Sequence, residues 1–179
     1  SFDGNAMVFL TDYTDDGTLA LQYSKRSGAD WSEPITQPRN FSSKLNFIRG
    51  FTLSPDGQTL YLTSQLSNGV GGFDIYTCAL KGNAFSTPAN MGMPVNSKLH
   101  DSAPTITADG LILYFMRCES MNSQQADRCK LMMSRRQAGG KWGEAQELPP
   151  HINTGNSQTP RIMADGETLI FSSNKLQPN

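Results

Sequence analysis

The sequence predicts an all-β protein built from tandem four-stranded antiparallel sheets, and three observations support this prediction. The pair Asp-Gly recurs at a nearly constant interval. Each of its last three copies separates two apolar stretches, which is a strong hairpin signal because glycine accepts the positive φ that the turn requires. No segment shows sustained helical periodicity, so helices are expected to be minor or absent.

Four features share one period along the chain. The turn glycines Gly4, Gly57, Gly110 and Gly166 lie 53, 53 and 56 residues apart. Each of the four follows an aspartate, namely Asp3, Asp56, Asp109 and Asp165. An aromatic marker recurs as Trp31, Phe85 and Trp142, and a closing asparagine as Asn40, Asn96 and Asn153. Such self-similarity indicates one structural unit used repeatedly.

The strands can be placed in order from these markers. The first unit begins at its turn and lacks a first strand. The second unit predicts strands over 51–54, 60–64, 74–79 and 85–89. The third predicts strands over 103–107, 111–117 and 131–135 and an irregular fourth over 142–148. The last unit ends after its second strand, so thirteen strands are expected.

A four-stranded antiparallel unit of about 50 residues in tandem is typical of a β-propeller blade. The sequence therefore predicts an incomplete blade over 1–40, blades over 41–97 and 98–153, and an incomplete blade over 154–179. Blades of this kind are stable as neighbours of one another. Because closed propellers use about 4 to 8 blades, about three blades are expected to be part of a larger propeller.

Composition and charge exclude several classes of function. With 15 Lys and Arg against 16 Asp and Glu the net charge is -1, so no overall basic field exists to attract nucleic acid or an anionic membrane. The longest apolar run, 111–116, is far shorter than the roughly 20 residues of a membrane-spanning helix. No membrane insertion and no nucleic-acid partner are predicted.

The three cysteines bear on the cellular compartment. Cys118 closes one apolar run and Cys129 opens another, so pairing of the two runs as a hairpin would place the thiols opposite each other. A disulfide there favours an oxidising compartment. The alternative is two unrelated reduced thiols in a cytosolic protein. Cys78 has no cysteine partner in this pairing and is expected to be a small core-facing strand residue.

The segment from Ser54 to Ser64, read as SPDGQTLYLTS, and the following GGFDIY at 71–76 resemble PD40 or TolB-like repeats of the WD40-like propeller class. The resemblance covers essentially the whole chain and is most like propellers of Bacteroidetes envelope proteins, such as the PorE-like component of type IX secretion and gliding. It implies a periplasmic, outer-membrane-associated protein, linked to peptidoglycan through an OmpA-like domain that these residues do not contain. The GGxDIY motif is intact only in the second unit, because Ala20 and Lys130 occupy the position of Asp74 in the first and third units.

The repeated residues are interpreted as structural. Asp56, Asp109 and Asp165 precede a turn glycine, so their carboxylates are expected to cap turn amides rather than form a catalytic ring. Asp74 has one local carboxylate where a calcium site needs several oxygen ligands, so a turn role is favoured over a cation site. No metal, cofactor or catalytic motif is predicted.

The aromatic markers have two interpretations. Trp31 and Trp142 would be sugar-stacking platforms if they were exposed at a blade edge. Their phase with Phe85 favours core anchors at the start of the outer strand, because a position that accepts any large aromatic residue usually serves packing.

Two classes of function follow from the sequence. The leading hypothesis is a non-catalytic scaffold that binds envelope proteins of a larger complex through its loops. The alternative is an enzyme-associated or glycan-binding propeller, either the gating domain of a peptidase or a ring whose acids converge on the channel. The second version requires inward-facing carboxylates from several blades.

Overall fold

The computed structural model describes residues 1, 3–11, 20–38, 48, 50–122 and 125–174. These residues form fifteen β-strands and no helix, and the strands form four antiparallel sheets. The prediction of an all-β protein made of repeated antiparallel sheets is confirmed. Asn40 and the 40/41 boundary between the first two units lie outside the described residues.

The second sheet repeats the order of the first and has one additional strand at its beginning. The first contains β1 (Ala6–Thr11), β2 (Ala20–Ser27), β3 (Asp30–Trp31) and β4 (Ile35–Thr36), and both β3 and β4 pair with β2. The second contains β5 (Phe51–Leu53), β6 (Thr59–Ser64), β7 (Asp74–Lys81), β8 (Ala84–Phe85) and β9 (Ala89–Asn90), with β8 and β9 both on β7.

The third sheet repeats this order and the fourth has two strands. The third contains β10 (His100–Ile106), β11 (Ile112–Met121), β12 (Ala126–Arg135) and β13 (Gln146–Glu147), and an isolated bridge joins Arg136 to Trp142. The fourth pairs β14 (Ser157–Ile162) with β15 (Leu169–Ser173).

Two features of the sheets differ from the prediction. The fourth strand of each of the first two units is split, because Pro34 and Pro88 lie between its halves and proline cannot donate a ladder hydrogen bond. This splitting gives fifteen strands rather than thirteen. In addition, β11 and β12 extend into the polar segment at 119–128 that was predicted to be a loop, with Met121 still paired to Ala126.

The core consists of three apolar layers, one between each pair of successive sheets. Side chains alternate between the faces of each strand. On β6, Leu60 and Leu62 therefore pack towards the first sheet, whereas Tyr61 packs towards the third. On β15, Leu169 and Phe171 pack against the third sheet. This face-to-face stacking is the arrangement expected of consecutive propeller blades.

The aromatic marker faces the preceding sheet. The ring of Phe85 meets Tyr23 of the first sheet edge-on at 5.6 Å, and Trp142 meets Tyr61 of the second sheet at 6.3 Å. The prediction of a core anchor is wrong for Trp31, which is 42% exposed. The physical reason is its place in the stack, since no sheet precedes the first one within the described ranges.

Two inner strands, β10 and β14, share a backbone bulge that the sequence did not indicate, and the residue before β5 shares their positive φ. Gly50, Ala103 and Thr159 lie at equivalent points and have φ of 130°, 52° and 50°. Register shifts follow Ala103 in β10 and Thr159 in β14, as in a bulge whose first residue adopts a left-handed conformation.

Candidate functional site

The antiparallel order divides the molecule into two rims. One carries the Asp-Gly turns and the short turns between β7 and β8 and between β2 and β3, and we call it the turn rim. The other carries the connections at 65–73, 91–99 and 149–156 and the end of the β11–β12 hairpin at Met121 and Ala126, and we call it the loop rim. Its longer connections make the loop rim the candidate surface for recognition, because loops on a rigid scaffold usually carry binding residues.

On the turn rim, the aspartate side chains make hydrogen bonds that stabilise the turns themselves. The Oδ1 atoms of Asp56, Asp109 and Asp165 accept the backbone N–H groups of Gln58, Leu111 and Glu167 at 3.0, 2.9 and 2.9 Å. Hydrogen bonds from the hydroxyls of Ser54, Thr107 and Thr168 do most to lower the pKa of the three aspartates, and the backbone bonds add to this lowering. The three carboxylates lie apart along the turn rim, and each accepts hydrogen bonds from its own turn.

A disulfide hairpin dominates the loop rim. Cys118 of β11 and Cys129 of β12 are directly opposite in the sheet, with Cα atoms 4.0 Å apart, and their sulfurs are bonded. Both residues are fully buried. The hairpin continues past the bond to Met121 and Ala126, so the disulfide lies inside the ladder rather than at the mouth of a ten-residue loop.

Polar side chains of the fourth unit hold this hairpin in place. The side-chain amides of Asn156 and Gln158 both donate to the carbonyl of Ala126, each at 2.9 Å. The Asn156 Oδ1 atom also accepts the N–H of Cys129 at 2.8 Å. The hairpin is therefore tied to two sheets, which restricts its orientation. The sequence offered no repeated signal that would have identified Asn156 or Gln158.

A second rigid segment of the loop rim is the glycine loop before β7. A Cβ atom on Gly72 would lie 2.3 Å from the His100 ring, and one on Gly71 would lie 2.2 Å from the Leu99 carbonyl. The His100 Nδ1 atom accepts the N–H of Phe73 at 3.2 Å. Burial lowers the pKa of His100, opposed by the nearby Asp101 and Asp74 carboxylates.

Asp74 completes the glycine loop. Its fully buried carboxylate accepts the backbone N–H groups of Val70 and Gly71 and the Asn90 side-chain amide. The two backbone donors are local, as expected for a turn residue, whereas Asn90 belongs to β9 and ties the loop to that strand. The described part of the chain contains no group of three or more His, Cys, Asp or Glu side chains that could hold a metal ion.

Asp101 is the one carboxylate on the described inner strands β5, β10 and β14. It is fully buried, and its Oδ1 atom lies 2.7 Å from the Arg117 Nε atom. Burial raises the pKa of Asp101, and Arg117 and Ser97 oppose that rise. The Arg117 guanidinium also donates to the Val95 carbonyl at 2.8 Å, so this pair links the connection at 91–99 to the third sheet.

The closing asparagines join each loop to its own blade. Asn96 accepts the N–H of Ile75 and donates to its carbonyl, both at 2.9 Å. Asn153 does the same to Leu131 at 2.8 and 3.0 Å. The sequence identified these residues only by their phase, whereas the structure shows that each one continues the ladder of the third strand.

Comparison with solved structures identifies the fold. The solved structure of a protein predicted to be TolB, from Agrobacterium tumefaciens, aligns with this chain at a TM-score of 0.53 and 18% sequence identity. The alignment covers 93% of this chain and 54% of the neighbour's chain. This chain is a TolB-like β-propeller in fold. A predicted 6-phosphogluconolactonase from Bacteroides uniformis follows at a TM-score of 0.45 and 13% identity over 94% of this chain and 48% of its own.

The propeller spans about half the length of these two structural neighbours. No protein-family model matches its sequence, and no curated protein does. The described residues of the propeller contain no helix long and apolar enough to cross a membrane.

Proposed function

We propose that this propeller is a non-catalytic interaction scaffold of the bacterial cell envelope, which binds partner proteins through its loop rim. The observation that carries the proposal is the buried Cys118–Cys129 disulfide within the hairpin of that rim. Structural disulfides persist in oxidising compartments such as the bacterial periplasm and are rare in the cytosol. A TolB-like propeller with such a bond fits the periplasm.

The construction of the loop rim supports a binding role. The disulfide, Asn156 and Gln158 hold the hairpin, while His100 and the paired Asp101 and Arg117 hold the adjoining loops. A binding surface with few freely moving loops loses little conformational entropy when a partner docks. The exposed Glu119 and Arg128 lie on the flanks of the hairpin, where they are accessible to a partner.

The finer assignment comes from the sequence resemblance to Bacteroidetes envelope propellers. Under this assignment the partners are envelope proteins of a larger complex, of the type IX secretion and gliding kind. The protein is outer-membrane-associated, and any contact with peptidoglycan is made by a domain outside this chain.

Site-specific photo-crosslinking in cells tests the scaffold proposal. A photo-reactive residue placed at Ser120 on the hairpin flank is expected to capture an envelope protein, and the same residue at Asn83 on the turn rim serves as the matched control. We expect to recover the propeller and the captured protein in the periplasmic or outer-membrane fraction. Equal capture at both positions, or a cytosolic location with reduced cysteines, would contradict the proposal.

A further inference from the structure

Three hydrogen bonds dock the glycine loop, 65–73, on the residues at the start of β10. The Gly72 N–H donates to the Leu99 carbonyl at 2.9 Å, and the Asp101 N–H donates to the Phe73 carbonyl at 2.7 Å. Between these two backbone bonds, the Phe73 N–H donates to the His100 Nδ1 atom at 3.2 Å. The middle bond alone of the three has a side-chain acceptor, so it depends on the protonation state of that side chain.

The middle bond requires a neutral imidazole. A neutral ring has one nitrogen that carries a proton and one that accepts, so an accepting Nδ1 atom leaves the proton of His100 on Nε2. A protonated ring carries N–H groups on both nitrogens and has no acceptor. A proton added from solvent to Nδ1 therefore sets two N–H donors, those of His100 and Phe73, against each other.

The packing around the ring turns this conflict into a conflict with the loop itself. A Cβ atom on Gly72 would lie 2.3 Å from the Cε1 and Nδ1 atoms of His100, so the loop backbone lies directly against the ring. The Phe73 ring centre is 5.8 Å from the imidazole centre, and Phe73 is buried in the apolar cluster that contains Cys118 and Cys129. Separating the two donors thus requires the loop backbone to move away from His100.

Charges on the neighbouring elements modify the titration of the ring. Burial lowers the pKa of His100 below its ordinary value of about 6.5, and the carboxylates of Asp101 in β10 and Asp74 at the start of β7 oppose this. Asp101 is paired with Arg117 at 2.7 Å, and Asp74 accepts N–H groups of the glycine loop. On β11, the residue opposite His100 is Cys118, which is disulfide-bonded and does not titrate.

We propose that His100 is a pH-sensitive switch of the loop rim, in which the neutral ring holds the glycine loop on the start of β10 and protonation of Nδ1 releases it. Histidine suits this role because its charge changes near neutral pH. The two states are the docked loop and a locally open loop that has lost the Phe73 hydrogen bond. The glycine loop carries the exposed Gln65 and Asn68, so its release alters the surface of the loop rim.

The direction of the pH response follows from the environment of the ring. Because the pKa of His100 is lowered in the docked state, the docked state is fully stabilised above about pH 6.5 and loses this stabilisation as the pH falls from there towards the docked-state pKa. Within that window the ratio of open to docked loop rises by up to about tenfold per pH unit. The proposal concerns the conformation of the loop and does not rest on the scaffold function, so either can fail alone.

Amide hydrogen exchange followed by NMR tests the switch in the 179-residue chain. Protection factors, which correct for the pH dependence of the intrinsic exchange rate, are measured between about pH 7.5 and pH 5, a range that brackets the ordinary histidine pKa. The factors of Gly72 and Phe73 are expected to fall by up to about tenfold per pH unit below about 6.5. The amide of the fully buried Leu62 in β6 is the internal reference and is expected to keep its protection.

Two substitutions separate the titration of His100 from its packing. His100→Asn places an amide oxygen at the branch position of Nδ1 and does not titrate, so the Phe73 amide is expected to stay protected over the whole pH range. His151→Asn removes an exposed histidine of the same rim, and this matched control is expected to keep the wild-type response. Circular dichroism establishes that both variants fold.

Nitrogen-15 chemical shifts of the His100 ring give a direct measurement in the wild-type chain. The expected result is a proton on Nε2 at about pH 7.5 and a titration below about 6.5 that coincides with the loss of Phe73 protection. A ring protonated on Nδ1 at about pH 7.5, or a Phe73 protection factor that stays constant down to about pH 5, would overturn the proposal. A pH response that His100→Asn retains would also overturn it, because another group would then be responsible.

Discussion

At the residue scale, the Asp-Gly turns show how one short motif defines the repeat. The carboxylates of Asp3, Asp56, Asp109 and Asp165 each accept the backbone N–H two residues ahead. The following glycines all have positive φ, between 68° and 73°. These two requirements explain why the pair recurs so regularly, and why the sequence alone was enough to place the hairpins.

The turn aspartates predict a loss of stability in acid. Because the pKa of Asp109 is lowered in the folded protein, its contribution is complete above the unfolded pKa of about 3.9 and is lost as pH falls through the folded value. Asp109→Asn keeps a side-chain acceptor but does not titrate. Urea unfolding is expected to show the variant less stable than wild type at pH 7, and the difference is expected to shrink as the pH falls below the unfolded pKa of Asp109. A difference that does not depend on pH would contradict this, and Asp30→Asn is the control.

The close packing and positive φ of Gly50 predict a large penalty for a small substitution. A Cβ atom there would lie 3.0 Å from the Cα of Ala103. The φ of Gly50 is 130°, a backbone conformation that residues with a side chain rarely adopt. Gly50→Ala is expected to lower the free energy of unfolding by about 2 kcal/mol or more, from strain and overpacking together. Gly82→Ala is the matched control: its φ is 64° and no atom lies within 4 Å, so only the backbone cost of about 1 kcal/mol applies. Equal losses in urea unfolding would contradict the close packing.

Some residue roles had no local signal in the sequence. The phase of Trp31 with Phe85 and Trp142 predicted a buried ring, but burial also depends on a neighbouring sheet, which a periodic pattern does not report. The left-handed backbone of Ala103 and Thr159 was likewise hidden, because neither is glycine and the bulge is set by the sheet packed beside it.

At the element scale, the disulfide hairpin is the feature that the sequence predicted best. The two apolar runs ending at Cys118 and beginning at Cys129 do pair, and the bond forms between them. The sequence underestimated the strand lengths, because polar residues at 119–128 look like a loop although the β11–β12 ladder continues to Met121 and Ala126. Hydrogen bonding to the fourth unit by Asn156 stabilises this extension and could not be read from the hairpin alone.

Removal of the disulfide is expected to destabilise the protein measurably. The bond closes a sequence separation of 11 residues, for which loop-closure entropy gives about 3 kcal/mol. The double variant Cys118→Ala/Cys129→Ala is expected to lose about this much in guanidinium unfolding. The wild type is expected to lose a similar amount in reducing buffer, whereas the variant does not respond to the reductant. A wild type insensitive to reduction in the unfolding measurement would contradict the prediction.

The closing asparagines predict a second element-scale effect. Asn96 is buried and satisfies both backbone groups of Ile75, which is itself fully buried. Asn96→Ala leaves the buried Ile75 N–H unpaired, whereas the Ile75 carbonyl keeps the Met91 N–H at 3.1 Å, and the substitution is expected to cost about 2 kcal/mol. The exposed Asn83→Ala is the control and is expected to change stability by less than about 0.5 kcal/mol. Thermal unfolding of the two variants measures the difference, and equal effects would contradict the ladder-extending role.

At the scale of the whole molecule, successive sheets are held by apolar layers that each need a face from two units. The repeat pattern predicted this stacking, because a unit with apolar residues on both faces of its strands cannot bury them alone. The pattern could not assign the partner of each face. That information lies in which aromatic meets which sheet, as with Trp142 on Tyr61.

A double-mutant cycle between Tyr61 and Trp142 tests the stacking of blades most directly. These rings belong to different units and meet edge-on, so their coupling energy is expected to be about 0.5 to 1.5 kcal/mol. The control cycle pairs Tyr61 with Trp31, and distant sites of this kind are expected to be additive within about 0.5 kcal/mol. Leucine replacements in each cycle, followed by urea unfolding, give both values. The predicted result is a measurable coupling energy between Tyr61 and Trp142 and none between Tyr61 and Trp31. Additive effects of the Tyr61 and Trp142 substitutions on the free energy of unfolding would contradict the radial stacking.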